Sequence, residues 1–152
     1  MTSVTLDTLE VLPELNESGK YNSVRAKLNT MDRETQGVEM HKLGAAPEYT
    51  IGSVHAVTED GKVVIASNTG SQLAAYAYGA AHVIWVVGTQ KIVPDLNHAE
   101  KRVYEDVLPL ESERVQHAYG MTESFVSKLL IINREVKEGR ITIIFVKESL
   151  GF

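Results

Sequence analysis

A chain of 152 residues, 43% hydrophobic and 23% charged, can bury one core but is short for two ordinary domains, so residues 1–152 are expected to form a single domain. This composition excludes intrinsic disorder and fibrous repeats, while a net charge of −5 with 7% aromatic residues disfavours a nucleic-acid partner. With no cysteine the chain can supply no disulfide, thiolate nucleophile, zinc knuckle or iron–sulfur ligation.

In chain order, the residues up to Ala46 are polar and lean towards helix. Leu6, Leu9 and Leu12 fall at helical spacing before Pro13, and Ser18-Gly19 makes a break. Val24, Leu28 and Met31 mark a second helix, and a third from Asp32 is expected to turn Val38 and Met40 or Leu43 inward. After Ala46-Pro47, Ile51 to Val57 and Val63 to Ala66 read as a hairpin closed by Glu59-Asp60-Gly61. Asn68-Thr69-Gly70-Ser71 then opens a helix that carries Leu73, Ala74 and Ala77 and ends at Gly79, a suitable residue just past a helix end. The continuous apolar run Val83 to Val87 fits a strand covered on both faces.

Asp95 caps a helix with the stripe Leu96, Ala99, Val103 and Val107, stopped by Pro109, and a short helix follows from Glu111 to Tyr119 before Gly120. Leu129 to Asn133 and Ile141 to Val146, around Glu138-Gly139, read as a closing antiparallel pair. The expected fold is α/β, a mixed sheet with helices on its faces.

The chemistry concentrates in two loops. Between a strand and a helix, Asn68-Thr69-Gly70-Ser71 offers backbone N–H groups, two hydroxyls and a glycine that lets a ligand approach, which suits a carboxylate or phosphate. The alternative is simple helix capping by Thr69 or Ser71. The loop lacks the lysine of a P-loop and is not a dinucleotide fingerprint.

The second loop, Gly88-Thr89-Gln90-Lys91, ends the buried strand. It shares a crevice with the first if their strands are parallel neighbours. Lys91 is then a cation for an anionic ligand or, desolvated, a nucleophile; otherwise it is a solvated surface lysine. Glu59 is a weaker catalytic candidate, because Glu59-Asp60-Gly61 also reads as a turn. The histidines at 41, 55, 82, 98 and 117 show no metal-ligand spacing, and His55 reads as a packed or edge residue. No metal, cofactor or hydrolase triad is expected. No signal peptide follows Met1, and no apolar run approaches the ~18 residues that span a bilayer, so a cytoplasmic setting without a membrane is expected.

The stretches Ala66-Ser67-Asn68-Thr69-Gly70-Ser71-Gln72-Leu73, Val86-Val87-Gly88-Thr89-Gln90-Lys91-Ile92-Val93 and Gly139-Arg140-Ile141 to Leu150-Gly151-Phe152 resemble the lactate-utilisation (LUD, LutC/YkgG-like) domain family. The resemblance covers most of the chain from Thr2 onward. It implies a Rossmann-like three-layer domain similar to the NagB, RpiA and CoA-transferase group, in which Thr/Gly-rich loops hold anionic substrates. It implies an anion-binding role for Asn68, Thr69, Gly70 and Ser71, and a crevice role for Gly88, Thr89, Gln90 and Lys91. Ser3 and Thr5, in Thr2-Ser3-Val4-Thr5-Leu6, resemble the family's N-terminal Ser/Thr loop and are expected to face the same crevice.

Bacterial relatives are associated with lactate oxidation through an iron–sulfur complex. Here the stretch Tyr119 to Lys128 lacks the cysteine cluster that some of them carry. The chain also resembles a family domain without its first helix and strand, which would leave an edge or face open and favour a homo-oligomer. The resulting expectation is a domain that binds a small anionic metabolite, possible partners being the proteins of a redox complex. The alternatives are an enzyme of the CoA-transferase or sugar-phosphate isomerase kind, and a scaffold without a ligand.

Overall fold

The computed structural model describes residues 3–120 and 122–152. Its N-terminal part forms α1 (Val4–Thr8), α2 (Leu12–Glu17), α3 (Val24–Asn29) and α4 (Arg33–Ala45). Ser3, Ser23 and Asp32 cap α1, α3 and α4 by accepting the N–H groups of Leu6, Ala26 and Glu34, which helix geometry leaves unpaired. Pro13 sits in the first turn of α2, where its missing N–H costs nothing, so it starts a helix where the sequence suggested an end. Of the residues expected to face inward from α4, Met40 and Leu43 are half-buried, while Val38 is 67% exposed and no residue of the helix is fully buried.

The strands are β1 (Tyr49–Gly52), β2 (Ala56–Thr58), β3 (Val63–Ser67), β4 (His82–Gly88), β5 (Ile92–Val93), β6 (Lys128–Ile132) and β7 (Ile141–Val146). They form a parallel sheet in the order β1-β4-β7 and a mixed sheet in the order β5-β2-β3-β6. The α/β character expected from the sequence is present, with the strands divided between two sheets. Val83, Trp85 and Val87 of β4 pack in one core with Val57, Val63 and Ile65 of the mixed sheet. The alternate residues Ala56, Val64 and Ala66 face Ala99 and Val103, so β3 is buried on both sides. The layers are therefore parallel sheet, mixed sheet and helix.

Two sequence expectations change for the same reason. The run Ile51 to Val57 is not one strand: β1 pairs in parallel with β4, the chain crosses at Ser53-Val54-His55, and only β2 and β3 make the expected hairpin. Likewise β6 and β7 do not pair with each other, because β6 runs antiparallel to β3 and β7 parallel to β4. Apolar alternation specifies a strand with a buried face but not the sheet it joins. In β4, Val83, Trp85 and Val87 are buried while Ile84 and Val86 are half-buried, so its second face is only partly covered.

The layer behind the mixed sheet is α5 (Leu96–Arg102), a π-helical turn at Val103–Val107 and α6 (Leu108–Tyr119). Pro109 lies in the first turn of α6, so the helical path continues where the sequence predicted a stop. Asp95 caps α5 through the His98 N–H, and Gly120 ends α6 in the left-handed conformation at φ 67°.

Past Gly70 the chain makes a turn and then the π-helical segment Ala75–Gly79. Gly79 serves close approach, since a Cβ there would meet the backbone carbonyl of Ala45. Buried Arg140 closes the segment, donating from Nη2 to Ala75 O (3.1 Å) and Tyr76 O (2.9 Å) and from Nε to Ala80 O (3.0 Å), with Nη1 on Glu135 (2.6 Å).

Candidate functional site

All three parallel strands deliver their carboxyl ends to one place. Past β1 the chain crosses to the mixed sheet through Ser53-Val54-His55; past β4 it crosses through a 3₁₀ turn at Thr89–Lys91 into β5. Past β7 the final residues fold back over the end of β4. Carbonyls in such crossings fall outside the sheet ladders and need other donors.

Lys91 is that donor. Only 2% exposed, its Nζ donates to Thr5 Oγ1 at 3.1 Å, Ser53 Oγ at 3.2 Å and Val54 O at 3.2 Å. Every acceptor is uncharged, and among the described residues no carboxylate pairs with it. Burial, and secondarily the Arg102 guanidinium, lower its pKa from 10.5 to about 8.

Two more basic groups stand nearby. The His55 imidazole is pushed down to about 4 by burial first, then by Lys91 and Arg102, and its Nδ1 accepts the Ala66 N–H at 3.1 Å. Arg102 donates from Nε to His55 O at 3.0 Å and lies 3.5 Å from Asp106.

The surrounding loops pack around this lysine. Thr5 on α1 is buried and lies 3.4 Å from Leu150 O; Ser3, half-buried, caps the same helix. Thr2 of the N-terminal Ser/Thr loop lies outside the described residues. Gln90 Nε2 donates to Leu150 O (3.0 Å) and Gly151 O (3.3 Å). Gly88 is required here, because a Cβ would meet Glu148 O and Leu150 N of the returning tail at 2.6 and 2.8 Å. Gly151, at φ 60°, brings its backbone against Thr5. The structure thus brings together Thr5, Gly88, Gln90 and Lys91, with Ser3 at the base of α1 and Thr89 exposed in the turn.

Asn68-Thr69-Gly70-Ser71 belongs to a different place. It follows β3, in the mixed sheet, so the two loops do not leave neighbouring parallel strands and the condition for a shared crevice is not met. Two of its backbone donors are engaged locally: the Gly70 N–H by Ser67 Oγ (2.8 Å) and the Ser71 N–H by Thr69 Oγ1 (3.3 Å). Asn68 Oδ1 accepts from Ser127 (3.0 Å), and the Lys128 side chain lies across Gly70, whose φ is 84°. Glu59 sits exposed beside the hairpin turn, its N–H bonded to Val93 O (2.9 Å).

Sequence reasoning missed Ser53, the Val54 carbonyl, His55 and Arg102 as neighbours of Lys91. The available signal was Gly52-Ser53, a small polar step ending a strand, but only the parallel pairing of β1 with β4 places it beside Lys91. Among the described residues no His, Asp and Glu side chains group as a metal site, and no helix is long and apolar enough to cross a membrane.

Searches among curated proteins and among solved structures found no match. The family model for the LUD domain matches residues 1–146. Nearly the whole chain, including every strand and Lys91 with its partners Thr5, Ser53 and Val54, lies within that match: the protein belongs to the LUD domain family.

Proposed function

We propose that this LUD domain binds a small anion, a carboxylate or a phosphorylated metabolite, at the carboxyl end of its parallel sheet. Lys91 supplies the charge and the Thr5 and Ser53 hydroxyls orient the ligand. Ser3, Gly88, Thr89 and Gln90 shape the rim. One observation carries the reading: among the described residues, Lys91 is a buried ammonium held only by neutral oxygens. A desolvated charge without a counter-ion costs several kcal/mol, and an arriving anion offsets that cost. The location supports it, since open α/β sheets hold ligands at the carboxyl ends of their strands. The family's link to lactate utilisation favours a carboxylate and a role beside redox proteins.

Calorimetric titration with lactate, pyruvate and phosphate tests this. Lys91→Met should weaken binding at least about tenfold, the scale of one charge-assisted hydrogen bond, while Lys91→Arg keeps part of the affinity. Equal affinity in wild type and Lys91→Met would refute the assignment and favour a scaffold.

The outer face of the parallel sheet supports self-association as well. Tyr49 (55% exposed), Ile51 (36%) and Ile144 (47%) present apolar surface there, and β7 has a free edge.

A further inference from the structure

We propose that Lys91 is also a nucleophile, forming an imine with a small carbonyl compound that carries a carboxylate. This rests on the anion-binding reading and deepens it by naming the ligand class.

The inference comes from what surrounds Nζ. A lysine kept for structure is ordinarily matched with a carboxylate, which fixes it as ammonium and destroys its nucleophilicity. Lys91 has none. Its neighbours are two hydroxyls, one backbone carbonyl, the Arg102 guanidinium and the His55 imidazole, with Asp106 beyond Arg102 on the following π-helical turn. Desolvation beside a second cation is the arrangement that frees a lysine amine near neutral pH. Thr5 and Ser53 have a use in such chemistry that capping or packing does not explain: both oxygens lie within 3.2 Å of Nζ on different elements, where each hydroxyl can pass a proton.

The step balances without an oxidant. The neutral Nζ attacks the carbonyl carbon and the C=O π bond opens to a carbinolamine. The two amine protons pass through the Thr5 and Ser53 hydroxyls to the former carbonyl oxygen, which leaves as water, and the C=N bond forms. Arg102, the second cation acting on Lys91, is the group that would meet the ligand's carboxylate once the amine is neutral. Access to Nζ requires α1 to shift, because Lys91 is 2% exposed, Thr5 is bonded to its Nζ, and the Leu150-Gly151 backbone packs on Thr5.

The test uses pyruvate as probe with cyanoborohydride near neutral pH, followed by intact mass and peptide mapping, alongside calorimetry with lactate, which has the carboxylate but no carbonyl. One reduced adduct should map to Lys91 ahead of any on the exposed Lys20, Lys42 and Lys101, although these are far more accessible. Lys91→Arg should lose the adduct and keep part of the lactate affinity, which separates nucleophile from charge. The wild-type peptide map decides the matter even if that variant fails to fold. Lactate binding without an adduct on Lys91 overturns the imine and leaves the anion site standing; neither binding nor adduct overturns both.

Discussion

Raising the pH above neutral should stabilise this protein relative to its Lys91→Met variant. In the folded chain the Lys91 amine is held at about 8, against 10.5 when it is solvated. Between those values the unfolded chain binds more protons than the folded one, so the free energy of unfolding rises with pH. The penalty is present in full below about 8 and gone above 10.5. The separation corresponds to about 3 kcal/mol, a large part of the stability of a domain this size.

Urea unfolding of both proteins across this window isolates the effect, because other alkaline titrations, including Tyr76, which burial pushes up to about 12, are common to both. The difference between them should climb by about 3 kcal/mol. Saturating phosphate should flatten the climb, since a bound anion restores the amine towards its ordinary pKa. A difference that stays level across the window would mean that the lysine is hydrated or paired in the folded protein, and the reasoning about its burial would fail.

Other perturbations test the rest of the structure. The His55 imidazole, held at about 4 against 6.5, makes the opposite limb: stability should fall by roughly 3 kcal/mol as pH drops through that window, and His55→Asn should remove most of the slope in acid urea titrations. Arg140→Ala leaves the carbonyls of Ala75, Tyr76 and Ala80 without their donor and should cost about 3–5 kcal/mol by chemical denaturation; a loss below about 1 kcal/mol would show that the π-helical segment does not depend on it. Gly70→Ala, at φ 84° under the Lys128 side chain, should cost about 1 kcal/mol yet leave calorimetric anion affinity unchanged, and a lost affinity would move the site to that loop. Light scattering across a concentration series should show self-association that Ile144→Lys abolishes; a constant monomer mass in the wild type would remove the open sheet face as an interface.

Much of the local structure was readable from residue chemistry alone. Asp32, Asp95 and Gly120 mark helix ends because short polar side chains and glycine solve local hydrogen-bonding and φ problems, and Glu59-Asp60-Gly61 closes the β2–β3 hairpin for the same local reason. Sheet membership was not readable. It depends on pairings between residues far apart in sequence, such as Trp85 with Ile143 and Ile65 with Leu130.

The site divides along the same line. Gly88 to Lys91 could be marked by position after an apolar strand, and Thr5 by the family resemblance. The burial of Lys91 could not be read, because sequence patterns treat lysine as solvated and its partners arrive from α1 and from the crossing after β1, 86 and 37 to 38 residues away in the chain. The Asn68 to Ser71 loop carries the stronger sequence signal, yet the N–H groups of Gly70 and Ser71 are spent on Ser67 and Thr69 beside them.

The central claim is that an anion occupies the carboxyl end of the parallel sheet against Lys91, and anomalous diffraction from crystals soaked in selenate locates such an anion directly. The account predicts a peak within hydrogen-bonding reach of Lys91 Nζ and the Thr5 and Ser53 hydroxyls, absent in Lys91→Met crystals. Selenate density at the Asn68–Ser71 loop alone, or none at either place in a protein that binds phosphate in solution, would contradict it.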